Sequence, residues 1–214
     1  MGGGKIGGMV GDPLPLPPLP CPGWLCVWPL RAVGARAAAR QALEQVLAEA
    51  AARLARIPTA QVSVRRDAAG RPGLTGLPPG YACSLAYTHG LAVAALACGP
   101  AVGVDCEHLE AKVDWHAVAA EFFHPGERAA LATSADEIGA RRIFFRLWAR
   151  KEARAKAAGL GVRALDAGSP SGLAAGGAAP LTAWTEGGAG VWLLDLPLGG
   201  EMAGSVALAA GPVG

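Results

Sequence analysis

The sequence predicts an α+β protein of two similar halves in one chain, packed face to face as a pseudo-dimer, each a helix against a small antiparallel sheet. Three observations carry this. Alanine-rich stretches at 35–56 and 140–158 space their apolar residues as helices do. Short apolar runs bounded by glycine and proline read as strands. A helix followed by strands then recurs in both parts of the chain, although the parts share negligible identity.

In chain order, residues 1–22 are rich in glycine and proline and predict a mobile tail. Trp24 to Trp28 predicts a strand stopped by Pro29. The first helix carries Leu43, Val46, Leu47 and Leu54 on one side. Val62 to Arg65 predicts a strand, and Gly70-Arg71-Pro72-Gly73 a turn. Tyr81 to Ala86 and Leu91 to Ala97 predict two strands around Tyr87-Thr88-His89-Gly90, and Val102 to Glu107 another. The first half is thus placed at 23–109 and the second at 110–214. The second opens with helices at Val113 to Phe123 and from Glu127. Its strongest helix, 140–158, sets Phe144, Phe145, Leu147 and Trp148 inward and ends at Gly159. A small-residue loop follows at 168–180, then closing strands near Trp184, Val191 to Leu196 and Ser205 to Ala210.

Composition excludes several classes. Among 214 residues, 52% are apolar, enough for a sizeable core. A net charge of +2 is too small for a nucleic-acid coat. The apolar stretch 91–104 is short and broken by Gly99, Pro100 and Gly103, so no membrane span is expected. The N-terminus lacks a basic start followed by an apolar run, and five irregularly spaced cysteines suggest free thiols in a reducing cytoplasm. Of 19 basic residues only four are lysine, yet Lys151 and Lys156 fall close together.

The candidate chemistry lies in a few segments. In Gly103-Val104-Asp105-Cys106-Glu107, Asp105 and Glu107 are two apart on a strand, so both carboxylates leave one face. Such a pair suits magnesium, which takes one or two carboxylates plus substrate phosphates; it also suits an exposed acidic face. In Trp148-Ala-Arg-Lys151-Glu152-Ala-Arg-Ala-Lys156, Trp148, Glu152 and Lys156 lie along one helix side. Glu152 can be a third ligand and Lys156 a phosphate contact, or the two can be an ordinary surface pair. Thr88-His89-Gly90 offers a hydroxyl and an imidazole at a turn where Gly90 admits a close backbone approach. Arg71, Arg36 and Arg40 carry forks that suit phosphate.

Together these segments resemble the 4'-phosphopantetheinyl transferase superfamily in its longer, single-chain, pseudo-dimeric form. Gly103-Val-Asp-Cys-Glu107 matches its G-(I/V)-D-x-E strand, and Trp148 to Lys156 its W-x-x-K-E-(A/S)-x-x-K helix. Gly70-Arg71-Pro72 matches its G-(K/R)-P turn, and Phe122-Phe123 with Glu127 its F-F-x-x-x-E segment. Thr88 stands where the family usually has serine, which keeps the hydroxyl. The segment before the first helix lacks the extra basic residues of many members.

The resemblance implies an enzyme that moves the 4'-phosphopantetheine moiety of coenzyme A to a serine of an apo acyl or peptidyl carrier protein, releasing 3',5'-adenosine bisphosphate. It implies Mg2+ held by Asp105, Glu107 and Glu152, with Lys156 neutralising the attacked phosphate. Glu152 is the candidate base, and Glu127 a candidate for positioning the metal's water. Arg40, Arg71, Thr88 and His89 would hold the 3'-phosphate and adenine end, with Lys151 a further coenzyme A contact. The receiving groove is expected near Phe122 and Phe123. A cytoplasmic monomer without nucleic acid or membrane is expected. A catalytically silent carrier-binding relative and another magnesium phosphotransferase are the alternatives.

Overall fold

The computed structural model describes residues 12–31, 36–160 and 179–209. Strand β1 (Trp24–Arg31) is followed by helix α1 (Arg36–Ala55), then β2 (Ser63–Arg66), β3 (Pro72–Thr75), β4 (Tyr81–Thr88), β5 (Leu91–Cys98) and β6 (Ala101–His108). Helices α2 (Trp115–Phe122), α3 (Pro125–Ala132) and α4 (Glu137–Ala157) come next, then β7 (Thr185–Glu186), β8 (Val191–Asp195) and β9 (Met202–Ala209). The α+β class is as expected.

The strands form one sheet in the order β1-β5-β4, a second in the order β6-β9-β8-β7, and a small β2-β3 ribbon, with every pairing antiparallel. Alternate residues of β5 explain the layering. Ala92, Ala94 and Leu96 pack with Leu43 and Leu47 of α1, while Val93, Ala95 and Ala97 pack with Val102, Val104 and Cys106 of β6 and Val206 and Leu208 of β9. Both faces of β5 are buried, which is why it reads as an unbroken apolar run. The order is therefore α1, first sheet, second sheet, α4.

The strand that the sequence reading groups with the first half, β6, is hydrogen-bonded to β9 and lies in the second sheet. Its free edge runs along β4, bridged by two hydroxyls. Val104 donates its N–H to Ser84 Oγ at 3.0 Å, and His108 donates to Thr88 Oγ1 at 3.1 Å.

Two expectations are corrected. Pro29 does not end β1, which runs on to Arg31 with Pro29 opposite Val93. β1 is an edge strand, so its missing N–H costs no ladder bond. Residues 12–22 are not a free tail either: Leu14, Leu16, Leu19 and Cys21 pack on the core between the sheets. The leucines between the prolines supply apolar surface that a purely Gly/Pro segment lacks. The remaining tail residues 1–11, and all but the end of the 168–180 loop, lie outside the described residues.

Candidate active site

Gly103 is the key to the site's geometry. On β6, Gly103, Asp105 and Glu107 share the face turned to α4, while Val102, Val104 and Cys106 face the core between the sheets. A Cβ at Gly103 would overlap the Ala153 carbonyl oxygen and the Ala157 nitrogen of α4. Glycine thus lets helix and strand approach closely, and small Ala153 and Ala157 complete the fit. Asp136 opens α4 by accepting the Gly139 N–H, and Gly159, at φ +68°, closes it.

That approach brings the two charged motifs together. Lys156 Nζ donates to Asp105 Oδ1 at 2.7 Å and to the Val104 carbonyl at 3.0 Å, and lies 3.8 Å from Glu152 Oε2. Asp105 is 4% exposed, and its Oδ2 is buried without a hydrogen-bond partner. Burial, then repulsion from Asp105 and Glu152, pushes the Glu107 carboxyl up to about 8. Burial and the Asp105 charge push Glu152 up to about 7. Burial raises Asp105 too, against the pull of Lys156. Burial alone would lower Lys156, but the charges of Asp105 and Glu152 outweigh it and raise the ammonium. The cluster is short of positive charge.

These groups form one wall of a cavity of about 1400 Å³. A second part of its wall carries Arg40 of α1, Arg65 and Arg66 of β2, and Arg71. Asp67 organises the turn between β2 and β3. Its Oδ1 accepts the Ala69 and Arg71 N–H groups, and its Oδ2 lies 2.6 Å from Arg71 Nε. Those bonds hold the Asp67 carboxyl below its ordinary range. Arg71 also donates to the Gly159 carbonyl at the end of α4, so one guanidinium ties the ribbon to the helix. Arg66 is held by Glu44 at 2.7 Å.

Asp105, Glu107, Glu152, Lys156, Arg40 and Arg71 therefore meet around one cavity. Thr88, His89 and Lys151 do not line it. The Thr88 hydroxyl is engaged at the seam with β6, and His89 is exposed at the hairpin tip, its ring 6.3 Å from that of His108. Lys151 is buried in an ion pair with Glu127 at 3.0 Å, and its ammonium lies over the Phe123 ring. Glu127 accepts the His124 N–H in the capping box that opens α3, which accounts for both residues as a tie between α3 and α4. Arg36's side chain lies outside those described. Arg65 and Arg66 were missed by sequence reading. Their signal was two arginines ending a short strand, beside an Asp67 three residues before Gly70.

Among the described residues no three carboxylate, imidazole or thiol groups are close enough to hold a metal ion together. The Lys156 ammonium lies between Asp105 and Glu152. No described helix is long and apolar enough to cross a membrane.

Comparison with known proteins finds sequences similar to the part of the chain that builds the site. The chain is 33% identical over 108 residues to the 4'-phosphopantetheinyl transferase HetI of Nostoc sp. (strain PCC 7120 / SAG 25.82 / UTEX 2576), a stretch that is 50% of this chain and 45% of that protein. The chain thus matches less than half the length of this curated relative. The β6 and α4 segments that build the charged wall both fall within residues 101–174, which match the model of the 4'-phosphopantetheinyl transferase superfamily, in line with the resemblance read from the motifs.

Proposed function

We propose that this protein transfers the 4'-phosphopantetheine moiety of coenzyme A to a serine of an apo acyl or peptidyl carrier protein and releases 3',5'-adenosine bisphosphate. One observation carries the reading: a largely buried carboxylate cluster with a single lysine shares one cavity with four arginines. Coenzyme A carries a pyrophosphate between its pantetheine arm and its adenosine, and a 3'-phosphate on the ribose; a cation held by the carboxylates would offset the first, and the arginines suit the second.

Asp105, Glu107 and Glu152 would hold Mg2+. The donor chemistry fits, because all three offer hard oxygens, Asp105 Oδ2 has no hydrogen-bond partner, and burial with the Asp105 charge destabilises the Glu107 and Glu152 carboxyls as anions, although the three do not yet converge on one point. When bound, the metal supplies positive charge to the pyrophosphate oxygens. Lys156 Nζ, already poised between Asp105 and Glu152, would neutralise a non-bridging oxygen of the attacked phosphate. The serine Oγ forms a bond to the β-phosphorus as the bond to the bisphosphate oxygen breaks, and the serine proton passes to a Glu152 carboxylate oxygen. Arg71, fixed by Asp67, and Arg40 would receive the 3'-phosphate end, with Arg66 beside them. Cys21, Cys26, Cys83, Cys98 and Cys106 are unpaired, which supports a reducing, cytoplasmic setting.

The test is to mix the protein with coenzyme A, Mg2+ and apo carriers from fatty-acid, polyketide and peptide-synthetase systems, and to weigh each carrier. A gain of one phosphopantetheine mass is expected on at least one. No gain on any of them overturns the reading.

A further inference from the structure

The segment before β1 has no role in the cavity chemistry, yet it is held at both ends and along its length. Its residues, Pro13-Leu-Pro-Leu-Pro-Pro-Leu-Pro20, favour an extended polyproline-type conformation, since each residue before a proline is steered away from the helical region. No peptide bond in the described chain is cis. Pro13, Pro15 and Pro18 are exposed, while Leu14, Leu16, Pro17 and Leu19 are half-buried. The segment is bonded to both sheets. Leu14 donates its N–H to the Val27 carbonyl of β1 at 2.8 Å, and the Trp184 indole N–H, at the approach to β7, donates to the Pro17 carbonyl at 3.3 Å. Where the segment enters β1, Gly23, at φ +130°, abuts Gly99, where a Cβ would come within 2.8 Å of the Pro22 oxygen.

We infer that residues 12–22 are an intramolecular proline-rich ligand, seated on a tryptophan-lined face of the second sheet, that clasps the two sheets together. Trp184 and Trp192 both pack on the core that the segment covers. An aromatic face that donates an indole hydrogen bond to a proline carbonyl is the chemistry by which proline-rich peptides are commonly recognised. The occupant is this chain's own segment. The core beneath it contains Val27 and Val93 from the first sheet and Val206 and Leu208 from the second, so the leucines span the seam. Ala86 and Val102 belong to that same core and to the cavity wall. The clasp therefore also supports the spacing of the two cavity walls.

The test replaces Leu14, Leu16 and Leu19 together by serine in the full chain, which leaves every residue of both sheets and the cavity intact. A red shift of tryptophan emission and a Tm fall of roughly 5–10 °C are expected. Adding a synthetic peptide of residues 12–22 should reverse both in a saturable way. Unchanged emission and Tm overturn the clasp. A fall in Tm that the peptide does not reverse overturns the recognition site and reduces the segment to passive cover. A Trp184→Phe variant keeps the ring but removes the donor, and should weaken peptide rescue several-fold. Equal rescue in that variant would assign binding to the leucines alone and overturn the indole's part. None of these readouts depends on transfer activity.

Discussion

The two walls of the cavity are built by opposite means. The β6–α4 wall is buried and crowded. Its carboxylates are forced together by close packing at Gly103, and Lys156 offsets part of their repulsion. The arginine wall is open to solvent and is held by surface pairs such as Arg71–Asp67 and Arg66–Glu44. Surface pairs contribute only about 0–1 kcal/mol each, whereas a charge stranded in a buried network costs several. On the proposed function, the chemistry would sit where packing is tight, and ligand capture where side chains can adjust.

That contrast can be broken in graded ways. Asp105→Ala and Glu152→Ala should each cut transfer by about 10³-fold or more while circular dichroism stays unchanged. Near-normal turnover in either variant removes that residue from the metal site. Gly103→Val comes next. Its side chain must push α4 off β6, at a cost of about 3 kcal/mol, with Tm lower by roughly 10 °C and activity lost with it. A variant as stable as the parent would mean that the close approach is dispensable. On the arginine wall, Arg71→Ala should raise KM for coenzyme A about tenfold, with kcat within about threefold and Tm within about 2 °C. A loss confined to kcat would place Arg71 at the reacting phosphate instead.

The smallest effect is a pH dependence. Glu107 and Glu152 are held near 8 and 7, above their ordinary 4.5, so the folded protein keeps protons that the unfolded chain has released. Their contribution is fully present below about pH 4.5 and is lost as pH rises through 7 to 8. In chelator, Tm should fall as pH rises from about 5.5 to about 8.5, and Mg2+ should flatten that slope. A metal-free Tm that rises over this range would show that the carboxyls are not mutually destabilised.

Local chemistry made much of this legible from the sequence alone. The helix spacing of α1 and α4 and the apolar runs of β4 to β6 announce their elements, because periodicity depends on neighbours in sequence. The alternation in Gly103-Val-Asp-Cys-Glu107 and the four-residue spacing of Glu152 and Lys156 likewise put each carboxylate on a definite face before any fold was known. Membership of Lys151 in the same motif said nothing about direction. One helical step takes it from the cavity side to the buried side, where Glu127 meets it. Thr88 and His89 were adjacent in sequence to the right strand, but the β4–β6 seam claims the hydroxyl and leaves the imidazole outside.

By itself, then, the sequence determined the α+β class, the elements of the charged wall and the residue types available for the chemistry, since each rests on interactions within one helix or strand. Only the tertiary structure decided which partners those residues have. β6 belongs to the second sheet because its hydrogen bonds go to β9, about a hundred residues away. The arginine ribbon faces α4 because Arg71 reaches the Gly159 carbonyl, and residues 12–22 are ordered because their leucines find a seam made by two sheets. Contacts between distant segments depend on shapes that exist only after the layers have packed, and no local pattern encodes them.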